Sequence, residues 1–292
     1  MRSIRKGTLI VAGFFLILLT GCRSGGEEAD KPVISVSILP QQYFIEKIGG
    51  DLFHVNVMIP PGASPATYEP TFSQLSGLER SEVYMKIGYL GFELGWMDKI
   101  MSTNPSMKLV SFSDGIDLIR EEGGAHLHEH AHGGIDPHIW MSPLNAKIIA
   151  TTIYQELLLL MPEEKAFLEE RYAAFQAELD SLHATIGSML EGLEQRSFMT
   201  YHPSLSYFAR DYDLEQIPLE IGGKNPSPAH MKWMADVGKE KRISKVLLQM
   251  QMNQKDAETL AKEIGAEIIQ INPLDPDWHG QMLSIADKLV RN

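Results

Sequence analysis

The sequence holds one cysteine, Cys22, in 292 residues, so no disulfide can close within the chain and no cluster of thiolates can hold a metal. It is also short of positive charge. Twenty-six Lys and Arg stand against 38 Asp and Glu, a formal net charge of -12. A protein that tracks a nucleic-acid backbone needs clustered cations, so no nucleic-acid partner is expected. Nor is there a GxSxG elbow, a phosphate-cradling P-loop or a dinucleotide fingerprint. The glycines of "EEGG" and "LEIGGK" lack the spacing that cradles phosphate. Catalysis is therefore not expected. A metallohydrolase on His138, His202 and a carboxylate such as Asp136 or Asp275 stays as a minor alternative, since an open metal position is what hydrolases need.

What the sequence does contain begins at its start. "MRSIRKGTLIVAGFFLILLTGC" has a basic opening, an apolar run from Thr8 to Leu19 and small residues before Cys22. That is a secretion signal, residues 1–21, ending at a cysteine placed for cleavage and lipidation. Residues 22–31 read as a polar, lipid-bearing tether. The chain is therefore expected outside the cytoplasm, which is the periplasm if the cell is Gram-negative, anchored to a bacterial membrane bilayer through lipidated Cys22.

From Val33 onward strand and helix alternate, which points to an α/β fold. "VISVSIL", "FHVNVMI", "EVYMKIG" and "MKLVSFS" read as strands of a first lobe, residues 32–160, which also carries a Gly-bracketed His-rich loop at 123–134. A long helix over 161–194 follows, with Pro162 and two glutamates in its first turn and Phe167, Tyr172, Phe175, Leu179, Leu182 and Ile186 on its apolar face. A second lobe, 195–292, repeats the alternation with "RSFMTYH", "EQIPLEI", "KVLLQM" and "AEIIQIN". Two such lobes leave a cleft between them, the usual place for a ligand.

With Cys22 committed to the anchor, the metal-binding groups left are imidazoles and carboxylates. His138, in "DPHIWMSP", sits on a short turn ahead of a helix. His202, in "TYHPSLSYF", stands at the carboxyl end of a strand, the edge from which open α/β sheets present ligand groups. His126, His128, His130 and His132 alternate with Leu, Glu and Ala, a tract that gathers divalent metals by composition. His54, His183, His230 and His279 have the settings of ordinary surface or packing residues.

These residues resemble the zinc and manganese solute-binding lipoproteins of bacterial metal ABC transporters. The resemblance spans the mature chain through "ILPQQYFIEKIGGD", "VNVMIPPGASPATYEP", "GIDPHIWMSP", "TYHPSLSYFARDY" and "QKDAETLAKEIGAEIIQINPL". It implies two lobes joined by a long, fairly rigid helix, a metal between them, a monomer, and delivery to a membrane ABC permease. It also implies Zn2+ rather than Mn2+, because the His-rich loop is more typical of zinc members. His138 and His202 match the family's ligand positions. Ala66 stands where the family has a histidine, and Asn272 where it commonly has an aspartate. Further donors are then expected from His126, His128, His130 or His132, with Asp275, Glu69 and the weaker Asn272 as other candidates. The alternative is a drifted member: a weak metal buffer, a binder of a metal complex, or an adhesion or scaffold lipoprotein.

Overall fold

The computed structural model describes residues 31–120, 134–220, 225–250, 252 and 254–291. The signal segment, Cys22 and His126, His128, His130 and His132 lie outside the described residues. Among those described, no helix is long and apolar enough to cross a membrane.

The first sheet is built from β1 (Val33–Val36), β2 (His54–Val57), β3 (Ser81–Lys86) and β4 (Lys108–Ser111), parallel and in the order β2-β1-β3-β4. Its connections carry α1 (Leu39–Gly49), α2 (Phe72–Gly77) and α3 (Gly91–Thr103). The second sheet repeats that order with β5 (Ser197–Thr200), β6 (Glu215–Pro218), β7 (Lys245–Gln249) and β8 (Glu267–Ile271) as β6-β5-β7-β8. All its pairings are parallel as well. Its helices are α6 (Ser206–Asp211), α7 (Pro228–Glu240), α8 (Gln254–Ile264) and α9 (Trp278–Val290). The central strands β1, β3, β5 and β7 are largely buried because helices cover both faces of a parallel sheet.

Between the sheets run α4 (Pro143–Leu160) and α5 (Lys165–Leu190). Ser142 caps α4 by accepting from the Asn145 amide, and Pro143 fits its first turn. Pro162 opens a separate 3-10 turn ahead of α5 and is not in its first turn. The buried face of α5 is Leu168, Phe175, Leu179, Leu182, Ile186 and Leu190. Its start is thus set one residue from the sequence expectation: Leu168 is inside, while Phe167 lies outside beneath the Arg171 guanidinium. The helix α3 was not read from the sequence, since Gly91 and Gly95 dilute its periodicity. It supplies the buried Glu93, which accepts from the Ile87 and Gly88 amides and the Ser37 hydroxyl.

The two sheets share one core. Residues of α1, α4 and α5 form a continuous apolar cluster with Tyr207 and Phe208 of α6, Ile269 and Ile271 of β8, and Met282 and Ile285 of α9. A second cluster fills the far side of the second sheet, under α7 and α8. Two buried indoles tie the halves together: Trp140 Nε1 donates to the Pro273 carbonyl and Trp278 Nε1 donates to the Trp140 carbonyl, both at 2.8 Å. Glu178 of α5 adds a polar junction, meeting Lys47 of α1 and His279 of α9 at 2.8 and 2.9 Å. The halves are joined by buried surface, so α5 is part of the core and not a free strut. Leu179→Ala should therefore cost about 3 kcal/mol in urea unfolding, whereas Leu159→Ala, 68% exposed, should stay within about 0.5 kcal/mol.

Candidate metal centre

His202 follows β5 by two residues, at the carboxyl edge of the second sheet beside the β5/β7 position where the strand order reverses. His138 precedes the short 3-10 turn Ile139–Met141 that leads into α4. That turn is buried, with Trp140 packed against the His138 ring at a centroid distance of 5.2 Å. Folding brings the two histidines together: their Nε2 atoms lie 3.3 Å apart, with the rings nearly perpendicular at 74°.

Each ring is held from behind by a carboxylate. His138 Nδ1 lies 2.8 Å from Asp136 Oδ1, and the same oxygen accepts from the His138 amide. His202 Nδ1 lies 3.2 Å from Glu220. The β5–β6 register explains the second contact: Thr200 pairs with Pro218, and the same register carried two residues further sets Glu220 beside His202. Burial pushes the Asp136 carboxyl up, but the neighbouring His138, and hydrogen bonds from His138 and Ser206, outweigh it and leave the group below its ordinary value. Asp136 therefore stays an acceptor at neutral pH.

The tautomers follow. A carboxylate can only accept, so each Nδ1 donates to its carboxylate, and a ring whose Nε2 carries no proton offers that lone pair to a cation. Two lone pairs facing each other at 3.3 Å repel unless a proton or a cation lies between them. The spacing fits zinc: two nitrogens each about 2.0–2.1 Å from the ion, at a tetrahedral angle, stand roughly 3.3 Å apart.

Among the described residues no group of three or more His, Cys, Asp and Glu side chains is arranged to hold a metal ion. Asn272 and Asp275 are engaged with each other, Nδ2 to Oδ2 at 3.3 Å, and accept from the Leu274 and Asp277 amides, so they close the turn before α9. Glu69 is exposed. Ala66 packs its backbone on the start of α3; a Cβ at Gly91 would come within 2.9 Å of the Ala66 carbonyl, so glycine is needed there. His54 lies in β2, His183 on α5 beside the Tyr212 hydroxyl, and His230 on α7 against Trp233.

Sequence reasoning missed Glu220 as a ring partner; strand order β6-β5 would have identified it. Asp136, weighed as a hydrolase carboxylate, instead orients a ring. Within the loop, "HEHAH" at 128–132 has the HExxH spacing of zinc hydrolases; it lies outside the described residues.

Two parallel α/β lobes, fused through a shared core and a long helix, with an imidazole from each meeting between them, define a two-lobed solute-binding protein. The chain belongs to the family of the periplasmic zinc-uptake complex component A, ZnuA, whose profile it matches over residues 34–291. It is similar to the zinc-binding lipoprotein AdcA of Streptococcus pneumoniae R6, 27% identical over 282 residues, covering 93% of this chain and 56% of that one. The chain thus spans about half the length of that relative. It is 26% identical over 286 residues to the high-affinity zinc uptake system protein ZnuA of Bacillus subtilis 168, covering 92% of this chain and 88% of that one. Among solved structures, a crystal structure of ZnuA superposes with a TM-score of 0.83 at 42% identity, covering 89% of this chain and 98% of that one.

Proposed function

We propose that this protein captures a zinc ion outside the cytoplasm and passes it to a membrane ABC permease. The observation that carries this reading is the 3.3 Å approach of two imidazole nitrogens, each ring backed by a carboxylate, at the meeting of two lobes. Neutral imidazole suits zinc better than it suits a hard cation such as manganese. The names of the relatives above support the same ion.

In this reading His138 and His202 bind zinc directly, and the remaining positions are filled by the His126–His132 tract or by water. Ala66 can donate nothing, and Asn272 and Asp275 are spent on their own turn. Tetrahedral zinc needs two more ligands than the described pair provides. Loss of one imidazole should weaken zinc binding by at least a hundredfold, and removal of residues 125–132 by at least tenfold. Binding should also weaken between pH 7.5 and pH 5.5, because a protonated imidazole cannot ligate. Calorimetric titration of the parent, His202→Ala and the loop deletion decides this. Equal affinity in parent and His202→Ala, or no change with pH, would contradict the imidazole site; an unaltered deletion variant would remove the tract from the ligand set.

Anchoring through lipidated Cys22 is part of the proposal and rests on the residues before it. In cell fractionation, Cys22→Ser should leave the membrane pellet for the soluble fraction; retention in the pellet would contradict a lipid anchor.

A further inference from the structure

Tyr207 takes no direct part in the imidazole pair, yet its hydroxyl joins the pieces of chain that carry it. It is fully buried on α6, which begins four residues after His202. Its hydroxyl donates to the Asp136 carbonyl at 2.8 Å and accepts from the Ile119 amide at 3.1 Å. Those residues flank the His-rich segment on its two sides. They also bond to each other, Asp136 amide to Ile119 carbonyl at 3.0 Å, and the neighbouring Arg120 and Ile135 form an antiparallel bridge. The rest of α6 grips the same place. Arg210 lies over the Tyr207 ring at 5.1 Å and donates to the Asp117 carbonyl at 2.9 Å, and the Ser206 hydroxyl stands near enough to the Asp136 carboxylate to help keep it below its ordinary value.

We propose that Tyr207 is the positioning residue of the metal centre: a buried hydroxyl that clasps both flanks of the His-rich segment and fixes Asp136, and through it the His138 ring, opposite His202. The chain of contacts is short. Tyr207 holds the Asp136 peptide, Asp136 Oδ1 holds the His138 amide and Nδ1, and His138 Nε2 then faces His202 Nε2. Because α6 and His202 belong to one short stretch of the second lobe, the clasp refers both rings to a single frame. The Trp140 ring packs against the His138 ring and adds to the two-point hold from Asp136. Without the hydroxyl, the Ile119 amide and the Asp136 carbonyl lose a buried partner, and the segment bearing His138 is free to shift. A shift well under 1 Å suffices to spoil a tetrahedral bite.

The inference rests on the reading that His138 and His202 bind zinc, and its test separates the two. Zinc titrations compare the full chain with Tyr207→Phe, each with and without Asp136→Asn, alongside ring 15N spectra of the metal-free proteins. Tyr207→Phe should weaken zinc binding about tenfold, equivalent to about 1.4 kcal/mol. In the Asp136→Asn background it should cost less than twofold, since both changes act through one ring. The His138 ring nitrogens should shift in Tyr207→Phe while those of His202 stay in place. Ser206→Ala, which removes the other α6 hydroxyl from Asp136, should cost about threefold with the same loss of additivity, and decides the matter if Tyr207→Phe does not fold. Affinity within twofold of the parent, or the same factor in both backgrounds, would overturn the clasp. If the parent takes up no zinc, the proposed function fails, and the ring spectra alone decide: a shift confined to His138 upholds the clasp, and no shift overturns it.

Discussion

The proposed centre depends on bringing two imidazole nitrogens from distant parts of the chain to 3.3 Å. With both lone pairs inward that approach is unfavourable by itself, and a shared proton or cation makes it favourable. Holding the two rings at that approach ahead of the ion is a form of preorganisation.

Much of the remaining architecture serves to hold that approach. The crossed indoles of Trp140 and Trp278 fix the turn that follows His138 to the second lobe. The apolar cluster that spans both lobes makes wide hinge motion costly, because opening it would expose Phe44, Phe175, Trp278 and Met282 together. Glu178 adds polar contacts from α5 to both α1 and α9. In the proposed function, metal entry and release would work by local adjustment near the rings. His202 suits that role, for its carboxylate contact at 3.2 Å is longer than the 2.8 Å contact behind His138.

The two-lobed α/β fold was legible in the sequence because parallel strands buried on both faces read as β-branched runs, and because helices alternate with them at regular spacing. His138 and His202 were legible for a related reason: both stand at chain turns where a rigid backbone aims a side chain. Glu220 was not, since its partnership with His202 is a property of strand register across β5 and β6 and not of local spacing. Tyr207 was hidden in the same way, as a packed aromatic whose hydroxyl matters only once residues 119 and 136 are brought to it. The helix α3 was missed because two glycines lower its helical signal, although tertiary packing overrides them.

The ligand set divides along the same line. Ala66 and Asn272 signal from sequence alone that a family-like set is incomplete, and the structure adds that Asn272 and Asp275 bond each other in a turn. The measurement that tests the central claim most directly is anomalous diffraction at the zinc edge from crystals grown with zinc. The account predicts one strong peak about 2.0–2.1 Å from both His138 Nε2 and His202 Nε2. A peak elsewhere, with the two rings left in contact with each other, would contradict it.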